Sequence, residues 1–195
     1  MGDLLLPPTL QSRLDGLPQG LRAHIDRVRG IARELAGVHG IDEDLAELTA
    51  AAHDVARHIP GTQLIEEAER IGISVNSVER VVPILLHGPV GAAWITEDAS
   101  ISDPEVVEGV RWHTTAHPDL APVGQVVFIA DKLDPHKAKS YPFQAQVREA
   151  AFRDLQGGAL AFLDGMMRQH VDRGDMVHPL CTDTRNALLL AAMGC

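Results

Sequence analysis

An all-α fold in a single domain is what this sequence predicts, and three observations predict it. Aromatic residues are sparse, with four Phe, two Trp and one Tyr, while aliphatic residues and alanine abound, which suits helices better than a β-sandwich. Apolar residues recur at steps of three and four, the spacing of one helical face. The length of 195 residues is ample for one core and short for two, since domains commonly run about 100–200 residues.

Residues 1–20 read as a short N-terminal arm. Met1-Gly2-Asp3-Leu4-Leu5-Leu6-Pro7-Pro8 lacks the basic start and the apolar stretch of about 7–15 residues that a signal peptide needs. The domain proper spans residues 21–193. Leu21, Ile25, Val28, Ile31, Leu35 and Val38 mark one face of a first helix, with His24 on or beside that face. After Gly40, Asp42 is the expected N-cap of a second helix with Leu45, Leu48, Ala52, Val55 and Ile59 inward, stopped by Pro60-Gly61. His53 and Asp54 fall in its second half. Thr62 can cap a short helix through Ile71. A further apolar segment ends at Leu85-Leu86-His87-Gly88-Pro89, where Gly88 as cap and Pro89 at the first helical position would open another helix and leave His87 just outside it.

The clearest start signal is Asp103-Pro104-Glu105, ahead of Val106, Val107, Val110 and Trp112, for a helix with His113 near its end. Another helix is expected from Pro122 to Leu133, carrying Asp131. Pro135 and Pro142 bracket a loop with His136, Lys137 and Lys139, and residues 143–156, 158–172 and 182–193 read as three more helices.

The net charge of −10 argues against broad nucleic-acid binding, which needs several Lys or Arg on one face. No run approaches the ~18 apolar residues of a membrane span, so a soluble protein is expected, without a membrane partner. Two cysteines, Cys181 and Cys195, lack metal-site spacing and read as reduced thiols of a cytoplasmic protein. A homo-oligomer stays open.

Chemistry is carried by a set of residues, since any one histidine on an apolar helical face is usually a hydrogen-bonded core residue. Ala23-His24-Ile25, Ala52-His53-Asp54-Val55, Leu86-His87-Gly88 and Ile129-Ala130-Asp131 each place a His or Asp amid small and apolar neighbours. Burying five such groups, two of them carboxylates, is costly unless they are paired, and a shared metal ion is the most economical partner. Adjacent helical positions point about 100° apart, so His53 and Asp54 meet one centre only if it lies across the edge between them, and Asp54 can then lean toward a second ion. Imidazole with carboxylate suits iron, manganese, cobalt or zinc better than calcium.

The ordered set His24, His53-Asp54, Leu85-Leu86-His87-Gly88-Pro89-Val90-Gly91-Ala92, His113-Thr114-Thr115 and Ala130-Asp131 resembles the YqeK branch of the HD-domain superfamily, and His178-Pro179 with Thr182, Asp183, Arg185 and Asn186 is similar to that branch's C-terminal pattern. The resemblance spans roughly Leu21 to Leu190. It implies an all-helical HD-type bundle and symmetric hydrolysis of diadenosine tetraphosphate, a small-molecule nucleotide substrate, to two ADP. It implies iron as the expected metal, as one or two ions, with manganese, cobalt or zinc as alternatives. His24, His53, Asp54 and Asp131 match the metal ligands. His87, His113 and Thr114 match positions that meet the phosphates or, for the two histidines, a second ion. Arg57 matches a basic position beside the phosphate chain, and Lys137 falls where an arginine is usual. The chain departs from the branch at Leu21, where arginine is common, and at Ala116, where glycine is usual.

On that basis the expected reaction is in-line attack of a metal-bound hydroxide on an inner phosphorus, with Asp54, His87 and His113 as the catalytic set and Arg57 and Lys137 clamping the chain. Two other readings compete: an HD-type phosphohydrolase or phosphodiesterase acting on another nucleotide, and a non-catalytic HD module that binds nucleotide for regulation. The complete ligand set favours catalysis.

Overall fold

A computed structural model describes residues 4–97 and 101–194. Met1-Gly2-Asp3 and Cys195 lie outside the described residues. Within them the chain is all-α: α1 (Pro8–Asp15), α2 (Gln19–His39), α3 (Glu43–Ala52), α4 (Gly61–Arg70), α5 (Ser77–Val81), α6 (His87–Glu97), α7 (Pro104–Trp112), α8 (Pro122–Lys132), α9 (Gln144–Arg153), α10 (Leu155–Arg173) and α11 (Pro179–Ala192), with 3₁₀ turns at Pro83–Leu86 and Pro135–Lys137. Among the described residues no helix is long and apolar enough to cross a membrane.

The expected start signals hold where they rest on side-chain chemistry. Asp42 accepts from Leu45 N at 2.9 Å, and Asp103 accepts from Glu105 N at 2.9 Å, so each satisfies a helix N–H that would otherwise go unpaired. α2 ends on Gly40 at φ 64°, a left-handed position that glycine enters without steric cost.

Four expectations are corrected. From the sequence, residues 1–20 are an arm; in the structure they include α1, whose Leu10 and Leu14, with Leu6 and Leu17, are buried. The second helix was expected to reach Ile59 but stops at Ala52, because the His53 ring takes the Ala50 carbonyl at 2.6 Å and residues 53–58 run on in turns. His53 and Asp54 are therefore not borne within a helix, and Arg57 shares no helix with them. Thr62 caps nothing: α4 begins at Gly61, with Pro60 in the cap position. His87 is the first residue of α6 rather than outside it, since the 3₁₀ turn runs straight into the helix and the His87 amide donates to Ile84 O.

The core has three apolar clusters. One joins α2, α8, α9 and α10 around Val28, Leu35, Ile129 and the edge-to-face pair Phe128 and Phe162. A second gathers α1, Ile25, Ile95, Val106 and Val110. A third packs Leu64, Ala68, Leu86 and Val90. The segment around His53-Asp54 belongs to all three: Ala50 to the first, Ala51, Ala52 and Val55 to the second, Ala56 to the third. Small side chains let three cores close on one turn, and the candidate site lies there. Cys181 is a buried free thiol, its pKa pushed up to about 11 by burial.

Candidate metal centre

Five segments deliver the site: His24 from α2, His53 and Asp54 from the turn after α3, His87 from the start of α6, His113 from the end of α7, and Asp131 from the last turn of α8. All six side chains are buried. The metal ligands His24, His53, Asp54 and Asp131 expected from the sequence converge, and so do His87 and His113.

Three of the histidines are aimed by the same local device. The Nδ1 of His53, His87 and His113 each faces the carbonyl three residues earlier, on Ala50, Ile84 and Val110. A carbonyl only accepts, so Nδ1 carries the hydrogen and Nε2 is left to point inward as a lone pair. His24 is aimed differently, by the Asp134 carboxylate at its Nδ1.

Asp54 sits between two pairs of these nitrogens. Its Oδ2 lies 3.4 Å from His24 Nε2 and 3.3 Å from His53 Nε2. Its Oδ1 lies 2.9 Å from His87 Nε2 and 3.5 Å from His113 Nε2. Asp131 Oδ1 completes the first pair, 3.0 Å from His24 Nε2 and 3.7 Å from His53 Nε2. Two groups that could each hold a metal ion result, His24, His53 and Asp131 in one and His53, Asp54 and His113 in the other, with the donor atoms of each within 4.8 Å of one another.

The donor set fits cations of the expected kind. His87 Nε2 and His113 Nε2 stand 2.9 Å apart with both Nδ1 atoms committed to carbonyls, an opposition of lone pairs that a shared positive charge resolves. Asp54 Oδ1 is buried with no hydrogen-bond partner, which is costly unless a cation serves as one. Burial works against charge on both carboxylates, but His53 beside Asp54, and Lys132 with Lys137 beside Asp131, hold them well below the usual carboxylate range. Burial likewise opposes charge on His53, yet Asp54 and Asp131 outweigh it and raise its pKa to about 9. His113, equally buried and flanked by His87 and His53, drops to about 3 despite Asp54. The carboxylates that favour a proton on His53 Nε2 would equally favour a cation in its place.

The expected phosphate-contacting residues lie around this centre already engaged. Arg57 Nη1 donates to Asp54 Oδ2 at 3.2 Å, and the Lys137 ammonium donates to Asp131. Thr114 reaches Leu85 O at 3.5 Å. Sequence reasoning missed three residues. Lys132 is buried, 2.7 Å from Asp131 Oδ2 and 3.0 Å from His113 O, so it braces ligands of both groups. Asp134 and Arg27 form the support behind His24. An Asp ahead of Pro135 was a visible turn signal, but nothing in the sequence ties it to α2.

Both departures from the branch pattern have a physical reading. Leu21 packs against the second apolar cluster. Ala116 adopts φ 59°, the left-handed region in which a residue with a Cβ costs roughly 1–2 kcal/mol and glycine does not.

Gly88 sets the spacing of the second group. A Cβ there would stand 2.6 Å from Arg111 O and 3.1 Å from Val110 O, so α6 could not approach the end of α7. Gly88→Ala is expected to separate His87 from His113 and to cost about 1–3 kcal/mol, a fall in melting temperature of roughly 2–12 °C in a thermal scan.

A model of the HD domain matches residues 21–136, which hold every residue of the centre. The chain belongs to the HD-domain family. It is similar to two bacterial proteins named symmetrical bis(5'-nucleosyl)-tetraphosphatase. One, from Halalkalibacterium halodurans, is 29% identical over 86% of this chain and 88% of the relative. The other, from Bacillus subtilis, is 28% identical over 80% of this chain and 82% of the relative. A solved structure from Clostridium acetobutylicum, described as a predicted HD superfamily hydrolase involved in NAD metabolism, superposes with a TM-score of 0.86 at 25% identity, covering 96% of this chain and 98% of that one. The HD match ends at residue 136, so α9, α10 and α11 lie beyond it.

Proposed function

We propose that this HD-domain phosphohydrolase cleaves diadenosine tetraphosphate symmetrically, with iron as the resident metal, in the cytoplasm. The observation that carries the reading is a cavity of about 560 Å³ that abuts the centre at Thr114 and Lys132. Its walls are largely apolar, including Leu85, Tyr141, Phe162, Leu163 and Met166, a lining and a size that suit a nucleoside. Most of its lining comes from α10 and the residues after it, so the HD domain supplies the chemistry and the C-terminal helices supply the seat for the base. The names of the relatives support the tetraphosphate.

His24, His53, Asp54 and Asp131 would hold one ion, and Asp54, His87 and His113 a second. A bound ion supplies Lewis acidity, polarising water and offsetting charge that grows on phosphoryl oxygens. The chain's own groups do the rest. Arg57 and Lys137, each resting on a carboxylate of the centre, would turn to the phosphates, Arg offering a fork and Lys a point charge. Asp54, held as an anion, would keep the ions in place through its two oxygens; the water oxygen bonds to an inner phosphorus, the water gives up its proton to solvent, the bridging P–O bond breaks, and ADP leaves.

Incubation with diadenosine tetraphosphate followed by chromatography tests the reading. ADP as sole product supports it; ATP with AMP denotes an asymmetric cut, and intact substrate beside turnover of another nucleotide shifts the assignment within the HD family. Met166→Trp, which would fill the cavity, should raise KM for the dinucleotide by roughly tenfold with a smaller change in kcat, as measured by initial rates.

A further inference from the structure

The structure assigns to Asp134, locked by Arg27, the role of positioning residue for the first metal site, making that site the tighter of the two. Three of the four inward-facing histidines lean on a neutral backbone carbonyl close in sequence. His24 alone leans on a carboxylate, and a carboxylate behind an imidazole fixes its tautomer and strengthens the opposite nitrogen as a donor.

Asp134 is 1% exposed and cannot swing away. Arg27 grips it as a fork, Nε to Oδ1 at 2.8 Å and Nη2 to Oδ2 at 2.9 Å. The His136 amide adds a third donor to Oδ1 at 3.1 Å. Gln144 Nε2 secures the backbone on either side, through Lys132 O at 2.8 Å and Asp134 O at 2.9 Å. The amide contact also starts the 3₁₀ turn that presents Lys137 to Asp131. One carboxylate thus sets both the donor strength of His24 and the place of a phosphate-side cation.

The two sites are unequal as a result. The first can draw on Asp131 Oδ1 and on Asp54 Oδ2, both beside a carboxylate-backed imidazole; the second draws on Asp54 Oδ1 and on imidazoles backed by carbonyls. Ions should fill the first site before the second. This rests on the metal-centre reading and not on the choice of nucleotide.

Cobalt(II) titration of the metal-stripped full chain, followed by visible absorption and calorimetry without any nucleotide, tests it. The wild type should show a tighter and a weaker step. Asp134→Asn keeps the shape but can neither balance Arg27 nor accept in the same way from His24; it should weaken the tighter step about 10–100-fold and leave the weaker step within about threefold. Arg27→Met, at a half-buried helix position, should weaken the same step by a smaller factor, and Arg27→Lys should restore part of it. Wild-type affinity in Asp134→Asn, or equal weakening of both steps, would overturn the assignment. Should Asp134→Asn fail to fold, Arg27→Met decides alone: unchanged cobalt affinity there refutes the role. Failure to cleave diadenosine tetraphosphate would leave all of these outcomes readable.

Discussion

Asp54→Asn is expected to lower kcat by about 10³-fold or more while the protein stays folded. Asp54 is the one side chain whose two oxygens face different nitrogen pairs, His24 with His53 and His87 with His113. Asparagine has the same shape, but only one of its two terminal atoms can ligate, and it carries no charge. If a bound ion contributes several kcal/mol to the reaction, losing one or both ions costs about a factor of ten per 1.36 kcal/mol. Asp131→Asn should also abolish activity, but with a different signature. It leaves the buried Lys132 ammonium without its ion pair, a loss of about 3–5 kcal/mol. Steady-state rates and thermal melts of the two variants side by side separate the roles. More than about a tenth of wild-type activity in Asp54→Asn would refute the bridging role.

Stripping the metal with a chelator should lower the melting temperature by roughly 8–16 °C. An ion present at about a thousand times its dissociation constant stabilises the native state by about 4 kcal/mol, and each kcal/mol is worth about 2–4 °C in a chain of this size. The loss should spread through the molecule, because the His53-Asp54 turn is shared by all three apolar clusters. Asp54→Ala, lacking the bridging ligand, should melt with a much smaller response to added metal. Calorimetric scans with and without chelator check both points, and equal melting of the stripped and loaded wild type would refute metal-linked stability.

Much of the fold was legible because its signals are local. Asp42, Asp103 and Gly40 do at the helix ends what those residue types do in general. The misreadings have physical causes. Ala50-Ala51-Ala52 and Val55 continue a helical pattern, and only the ring of His53, turned back on Ala50, ends the helix. Leu6, Leu10, Leu14 and Leu17 were spaced for a helix, but Pro7-Pro8 masked it as an arm. Gly88-Pro89 is a sound start signal, overridden because a 3₁₀ turn already supplies the first turn's carbonyls. The ligand set was readable as a set of His and Asp amid small apolar neighbours. Its braces were not: no local pattern marks Lys132 as a buried partner of Asp131, and Asp134 meets His24 and Arg27 more than a hundred residues away in sequence.

That last separation bears on how the centre is born on the ribosome. His53, His87 and His113 can take their final orientation as soon as their own helix ends form, since each aims itself on a carbonyl three positions back. His24 emerges earliest yet must wait for Asp134, 110 residues later, which at about 5–20 residues per second is a delay of roughly 5–20 seconds. The nascent chain therefore carries three histidines that orient locally and one that cannot until Asp134, just past α8, has been made. An ion bound at the first site would be captured late, as the domain closes.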